Sequence, residues 1–140
     1  MTEFIIGLIL VAFCLYICRQ NRIEGWVYSV SLFGLPLVYM FFALFADSSA
    51  AILLELIAGL PFIIAGFIFL QRGFKYSAYL LAGLWLSHAY YDIDHNRFFI
   101  NSGVPDWYPL LCVAFDLVIG FYLIYLGSTL KDANLRHYSR

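Results

Sequence analysis

His88, Asp92 and His95 stand at i, i+4 and i+7 in the stretch SHAYYDIDH, so helical spacing sets two imidazoles and a carboxylate along one stripe. Imidazole and carboxylate groups are the ligands of zinc, manganese and non-haem iron. At about 1.5 Å per residue His88 lies roughly 10 Å below His95, so one ion cannot take all three without partners from other helices, whereas adjacent pairs can share one. Two further carboxylates, Glu55 and Asp116, stand in other apolar segments and could complete a ligand shell or accept a proton beside it. Cys112, one helical turn before Asp116, is a candidate softer ligand, although a cysteine in an apolar helix is more often packing.

The elements that carry these residues are read from composition. Of the 140 residues, 64% are apolar and 12% are charged, against roughly 25% charged in an ordinary soluble domain. The apolar residues come in five runs, at 4–18, 26–46, 50–70, 77–95 and 108–130, whose lengths suit helices crossing a bilayer. The alternation of a barrel strand is absent. The expected fold is therefore all-α: a single polytopic transmembrane bundle over 1–140. The first run lacks a basic region before it and a small-residue cleavage site after it, and is expected to remain as a span. Pro36 and Pro61 fall mid-helix, where kinks are expected. Trp26, Tyr76, Trp107, Tyr108 and Tyr138 fall near the span boundaries, at headgroup level.

Arg19, Arg22, Arg72, Lys75, Lys131, Arg136 and Arg140 follow the first, third and fifth runs, and only Arg97 lies opposite. The positive-inside rule then makes the C-terminus cytoplasmic and the N-terminus external. With that topology Glu55, His88 and Asp116 lie about 8, 10 and 12 Å inside the outer boundary, so three helices bring ionisable groups to one layer. An ionisable group in hydrocarbon costs about 2.5 to 3.5 kcal/mol on insertion scales, which favours partnered groups facing the bundle interior. Glu55, Gly59 and Gly66 repeat the spacing of Asp116, Gly120 and Gly127, placing small residues for close helix contact beneath each carboxylate.

Several functions are excluded or lack support. A net charge of −1 with scattered basic residues gives no nucleic-acid footprint. Cys14, Cys18 and Cys112 make no CxxC pair. His88 and His95 share a helix and His137 lies in the tail, so a bis-histidine haem site is not formed. No GxSxG, HExxH or phosphate-cradling loop occurs. What remains is a divalent metal site (zinc, iron or manganese) with His88, Asp92 and His95 as ligands and Glu55 and Asp116 as catalytic groups; in an enzyme, metal-bound water would attack a lipid-soluble substrate. A proton or ion pathway through the same groups, or a structural network, stands as the alternative. The partners expected are membrane lipids and, for so small a chain, a second copy.

The residues LLELI around Glu55, GLWLSHAYYDIDHN with His88, Asp92 and His95, and PDWYPLLCVAFD with Pro109, Cys112 and Asp116 resemble a family of short bacterial membrane proteins, domain of unknown function 6010. The resemblance covers the C-terminal two-thirds. It departs at Asn96, where the family often has a second histidine following the one that matches His95. It implies an integral membrane fold with a shared buried polar site, in the bacterial inner (cytoplasmic) membrane, and carries no activity.

Overall fold

The computed structural model describes all residues except 47, 73, 139 and 140, with the side chains at 72, 74–77 and 130–138 also outside the description. The chain is all-helical, as its composition requires. Helices α1 (Thr2–Gln20), α2 (Glu24–Phe45), α3 (Ser49–Arg72), α4 (Phe74–Ile93) and α6 (Tyr108–Tyr138) follow the five apolar runs, and α5 (His95–Phe98) is one short turn. Thr2–Gln20, Glu24–Phe45, Ser49–Gln71 and Tyr108–Thr129 are each long and apolar enough to cross a membrane. Helix α4 has 20 residues, but part of it lies outside the described side chains and it carries the polar residues of the centre. Of the residues that mark topology and interface, Arg72, Lys75, Tyr76, Lys131, Arg136, Tyr138 and Arg140 lie outside the described side chains.

One boundary differs from the sequence reading in a way that matters. Helix α4 stops at Ile93, and Asp94, at φ −106° and ψ 15°, leaves the helical path before α5 begins. The Asp94 carbonyl instead accepts a hydrogen bond from the Arg97 N–H at 2.8 Å. His95 is thus placed by a turn and not by the i+7 register of α4, although it remains buried. Helices α2 and α3 run unbroken through Pro36 and Pro61, whose missing N–H groups each remove one backbone bond.

The packing makes two units. Helix α2 lies along α3, while α4 lies along α6, which also carries α1; the contact between the two units is thinner. Small residues set the close approaches. A Cβ added at Gly59 would overlap the Pro36 ring, and one at Gly66 would stand 2.7 Å from the Ser29 carbonyl oxygen. On the other unit, a Cβ at Gly120 would come within 2.7 Å of the Leu86 side chain and one at Gly127 within 3.0 Å of the Tyr79 ring. The two glycine pairs expected beneath Glu55 and Asp116 therefore do face neighbouring helices.

Along the bundle axis the interior is stratified. Val11, Tyr28, Leu32, Leu81, Ala82, Trp85, Ile119 and Leu123 form a buried, mainly apolar core. Beyond it at one end Tyr28 and Tyr122 donate to Glu24 Oε1. At the other end, where α2 gives way to α3 and α4 gives way to α6, lie the buried polar residues Glu55, His88, Asp92, His95, Asn101 and Asp116. The outer faces are apolar: Ile5, Ile9, Phe13, Phe41, Ile57, Phe67 and Phe121 are all exposed, as lipid contact demands.

Replacing Gly59 by Ala is expected to destabilise the protein by about 1–3 kcal/mol through overpacking against Pro36. Gly83→Ala, where nothing lies within 4 Å of the added Cβ, is the control and should be neutral or stabilising by up to about 1 kcal/mol. Thermal unfolding in detergent checks both; equal midpoints for the two variants would contradict the close α2–α3 crossing.

Candidate metal centre

The polar side chains arrive from several elements, three of them at a similar depth. Asp116 lies eight positions into α6, Glu55 six positions into α3, and His88 five before the end of α4. At about 1.5 Å per residue these offsets are roughly 12, 9 and 8 Å. Tyr39 comes from α2 at a comparable distance from its end, and Asn101 is folded in from the loop between α5 and α6.

The groups separate into two sets. In the first, His88 Nδ1 shares a hydrogen bond of 2.8 Å with Asp116 Oδ2 and stands 3.4 Å from Asp92 Oδ2. Tyr39 Oη donates to Asp92 Oδ1 at 2.8 Å. The candidate ligand atoms of His88, Asp92 and Asp116 all lie within 4.8 Å of one another, and all three residues are buried. In the second set, Glu55 accepts from three donors: His95 Nε2 at 3.0 Å, Asn101 Nδ2 at 2.8 Å and Tyr91 Oη at 2.9 Å.

These two sets differ in how far their acceptors are satisfied. Both oxygens of Glu55 are bonded, and His95 supplies a countercharge when protonated. Asp92 Oδ2 and Asp116 Oδ1, by contrast, are buried with no hydrogen-bond partner among the described residues. A buried acceptor without a donor costs about 1–3 kcal/mol, and more if it is charged. Two carboxylates beside one imidazole leave this set a positive charge short even with His88 protonated, and a divalent cation with a neutral His88 would balance it.

The spacing suits such an ion. Tetrahedral bonds of about 2.0–2.1 Å put ligand atoms roughly 3.4 Å apart. The His88–Asp92 separation is already 3.4 Å, while His88 and Asp116 at 2.8 Å would have to part by a fraction of an ångström. Three protein ligands leave a fourth position open, the pattern of catalytic rather than structural sites. Cys112 is buried one turn before Asp116 but is not part of this group of three.

The structure thus divides the residues singled out from the sequence differently from the helical stripe. Asp116, expected as a catalytic carboxylate, stands with His88 and Asp92; His95, expected as the third ligand, pairs with Glu55. The break at Asp94 is the reason, because it turns His95 off the α4 stripe toward α3. Tyr39, Tyr91 and Asn101 were not singled out at all. Tyr39 joins the two sets: besides bonding Asp92, its ring stacks on His95 at 4.7 Å and its backbone carbonyl accepts from Asn101 at 3.2 Å. Its depth in α2 matches that of the ionisable groups, a signal the sequence did contain. Asn101 reads as an ordinary turn residue in NSGVPDW and carries no such signal.

Two features close the centre. The loop bearing Asn101 is pressed onto α2, since a Cβ at Gly103 would overlap the Phe42 carbonyl. Between the two sets a cavity of about 10 Å³ is lined by Tyr39, Glu55, Phe62, His88 and Tyr91, near the volume that one water molecule needs. Comparison with known proteins adds no relative: no family model, curated protein or solved structure matches the chain.

Tyr39→Phe removes the donor from Asp92 Oδ1 and is expected to cost about 1–3 kcal/mol of stability. Tyr90→Phe, on the exposed face of the same α4 segment, should cost less than about 0.5 kcal/mol. Melting midpoints in detergent compare them, and a Tyr39→Phe protein as stable as Tyr90→Phe would show that the network does not depend on this bond.

Proposed function

We propose that this chain is an integral membrane protein that holds a divalent metal ion between His88, Asp92 and Asp116. With a coordination position left open to water, the ion acts on a lipid-soluble substrate at the extracytoplasmic interface. The single observation that carries this reading is that both carboxylates reaching His88 Nδ1 keep a buried oxygen without a hydrogen-bond partner among the described residues, Asp92 Oδ2 and Asp116 Oδ1. Glu55, at the same depth, shows what a carboxylate with both oxygens satisfied looks like in this protein.

The chemistry assigned to the ion is the activation of water for attack, the ordinary work of an open three-ligand site. Tyr39 orients Asp92 through the bond to its other oxygen, and His88 has Phe62 edge-on at 5.1 Å, which limits solvent on that side. Glu55, facing the water-sized cavity beside His88, is placed to relay a proton through one water. The distribution of basic residues supports an external placement of the site. The core beneath it is built from Leu32, Leu81, Trp85, Ile119 and Leu123, which favours a site served from one end over a transport path.

The second reading is a proton store, and the 2.8 Å contact between His88 and Asp116 favours it. There, protons rather than a metal neutralise the carboxylates. Metal analysis by mass spectrometry of detergent-purified protein separates the two. The wild type is expected to carry close to one zinc, iron or manganese ion per chain, lost in His88→Ala, Asp92→Ala and Asp116→Ala and kept in His95→Ala. No metal in wild-type protein after reconstitution with all three ions would leave the proton reading. Loss in His95→Ala at equal folded yield would put His95 back in the shell.

A further inference from the structure

Two cavities open at the His95 end of the protein and share Asn96, Asp106 and Pro109 at their mouth. One, of about 400 Å³, runs over the loop to Asn101, whose amide is already committed to Glu55. The other, of about 410 Å³, descends between the end of α4 and the start of α6 and reaches Asp92. Only the second ends at a residue of the centre: Asp92 lines its floor, and just behind that floor lies the Asp92 side chain, 0% exposed, with its Oδ2 unpartnered among the described residues.

The walls of this second cavity have a distinct chemistry. Two carboxylate residues, Asp94 and Asp106, line it beside a single guanidinium residue, Arg97, which lies 3.5 Å from Asp94, and the buried Asp92 carboxylate adds its charge behind the floor. His95 also lines the cavity, with its Nε2 turned to Glu55. Ile93, Leu110 and Val113 supply apolar walls. A cleft with charge of one sign and low-dielectric walls focuses its field on the opening and raises the local concentration of counter-ions. The negative balance disfavours an anion and suits a cation.

We infer that this cavity is the port through which a hydrated divalent cation reaches the centre, with Asp94 and Asp106 drawing it in and Arg97, tied to Asp94, retarding its passage. The inference rests on the metal-centre reading. The cation enters with its water shell, passes the mouth carboxylates, and exchanges waters for Asp92 Oδ2 first, because Asp92 is the ligand residue at the cavity floor and its carboxylate need only be uncovered there. His88 and Asp116 follow. Asp94 and Asp106 act on the rate of arrival, and the three ligands set how firmly the ion is held.

The test measures the rate at which apo protein in detergent takes up zinc(II) alone, stopped by chelator at set times and read by mass spectrometry. In about 20 mM salt, the double variant Asp94→Asn, Asp106→Asn is expected to load about tenfold more slowly than wild type, and Arg97→Gln a few-fold faster. At about 0.5 M salt the differences should shrink toward unity, while zinc content at equilibrium and release into chelator stay as in wild type. Equal low-salt loading rates for wild type and the double variant, with one zinc bound at equilibrium in each, would overturn the port and leave the centre standing. No zinc at equilibrium in wild type would overturn both.

Discussion

A carboxylate taken out of water must meet a donor or a cation, because the penalty for leaving it uncompensated is several kcal/mol. This bundle buries Glu55, Asp92 and Asp116 at one end, and much of its architecture there answers to the requirement. Helix α2 contributes the Tyr39 hydroxyl, α4 contributes His88 and Tyr91, the turn after α4 contributes His95, and the following loop is drawn inward so that Asn101 can donate. These bonds also tie the α2–α3 unit to the α4–α6 unit across a seam where the backbones make little contact. Truncating one member would strand its partner, so the network behaves as a unit rather than as separable pairs.

Such bonds are short only because the helices can approach. Gly59 lets α3 lie against the Pro36 ring of α2, and Gly120 lets α6 meet Leu86 of α4, each one turn below its carboxylate. Lipid offers helices no hydrophobic reason to associate, so close van der Waals contact and interhelical hydrogen bonds must do so. Small residue and carboxylate therefore work together: the first brings the backbones close, and the second bonds across the gap. Glycine at 103 extends the arrangement to the loop, which could not seat on Phe42 with a side chain at that position.

Satisfaction, rather than burial, distinguishes the two polar sets. Glu55 has three donors on two oxygens, whereas Asp92 and Asp116 each keep an oxygen bare beside His88. Shared depth, shared seam and similar burial leave that difference as the feature separating a tie between helices from a site that can take a ligand. Their position above an apolar core, at the foot of an acidic cavity, makes the site one-ended.

Much of this was legible in the chain itself. Apolar runs of bilayer length, with so few charges, determine helices, and counting residues from their ends sets Glu55, His88 and Asp116 at one level, because the rise per residue of a helix is fixed. The glycine spacing beneath two of the carboxylates was equally readable. Which histidine meets which carboxylate was not. That choice turns on Asp94, where the chain leaves the α4 register and swings His95 to Glu55, and no periodicity in the sequence marks the break. Nor did the sequence set Asn101 apart from a turn residue, and it marked Tyr39 only by depth, since their roles exist only once separate helices meet. Local spacing determined depth along each helix, and tertiary packing alone decided the partners, because a hydrogen bond between helices depends on rotation and distance that neither helix encodes by itself.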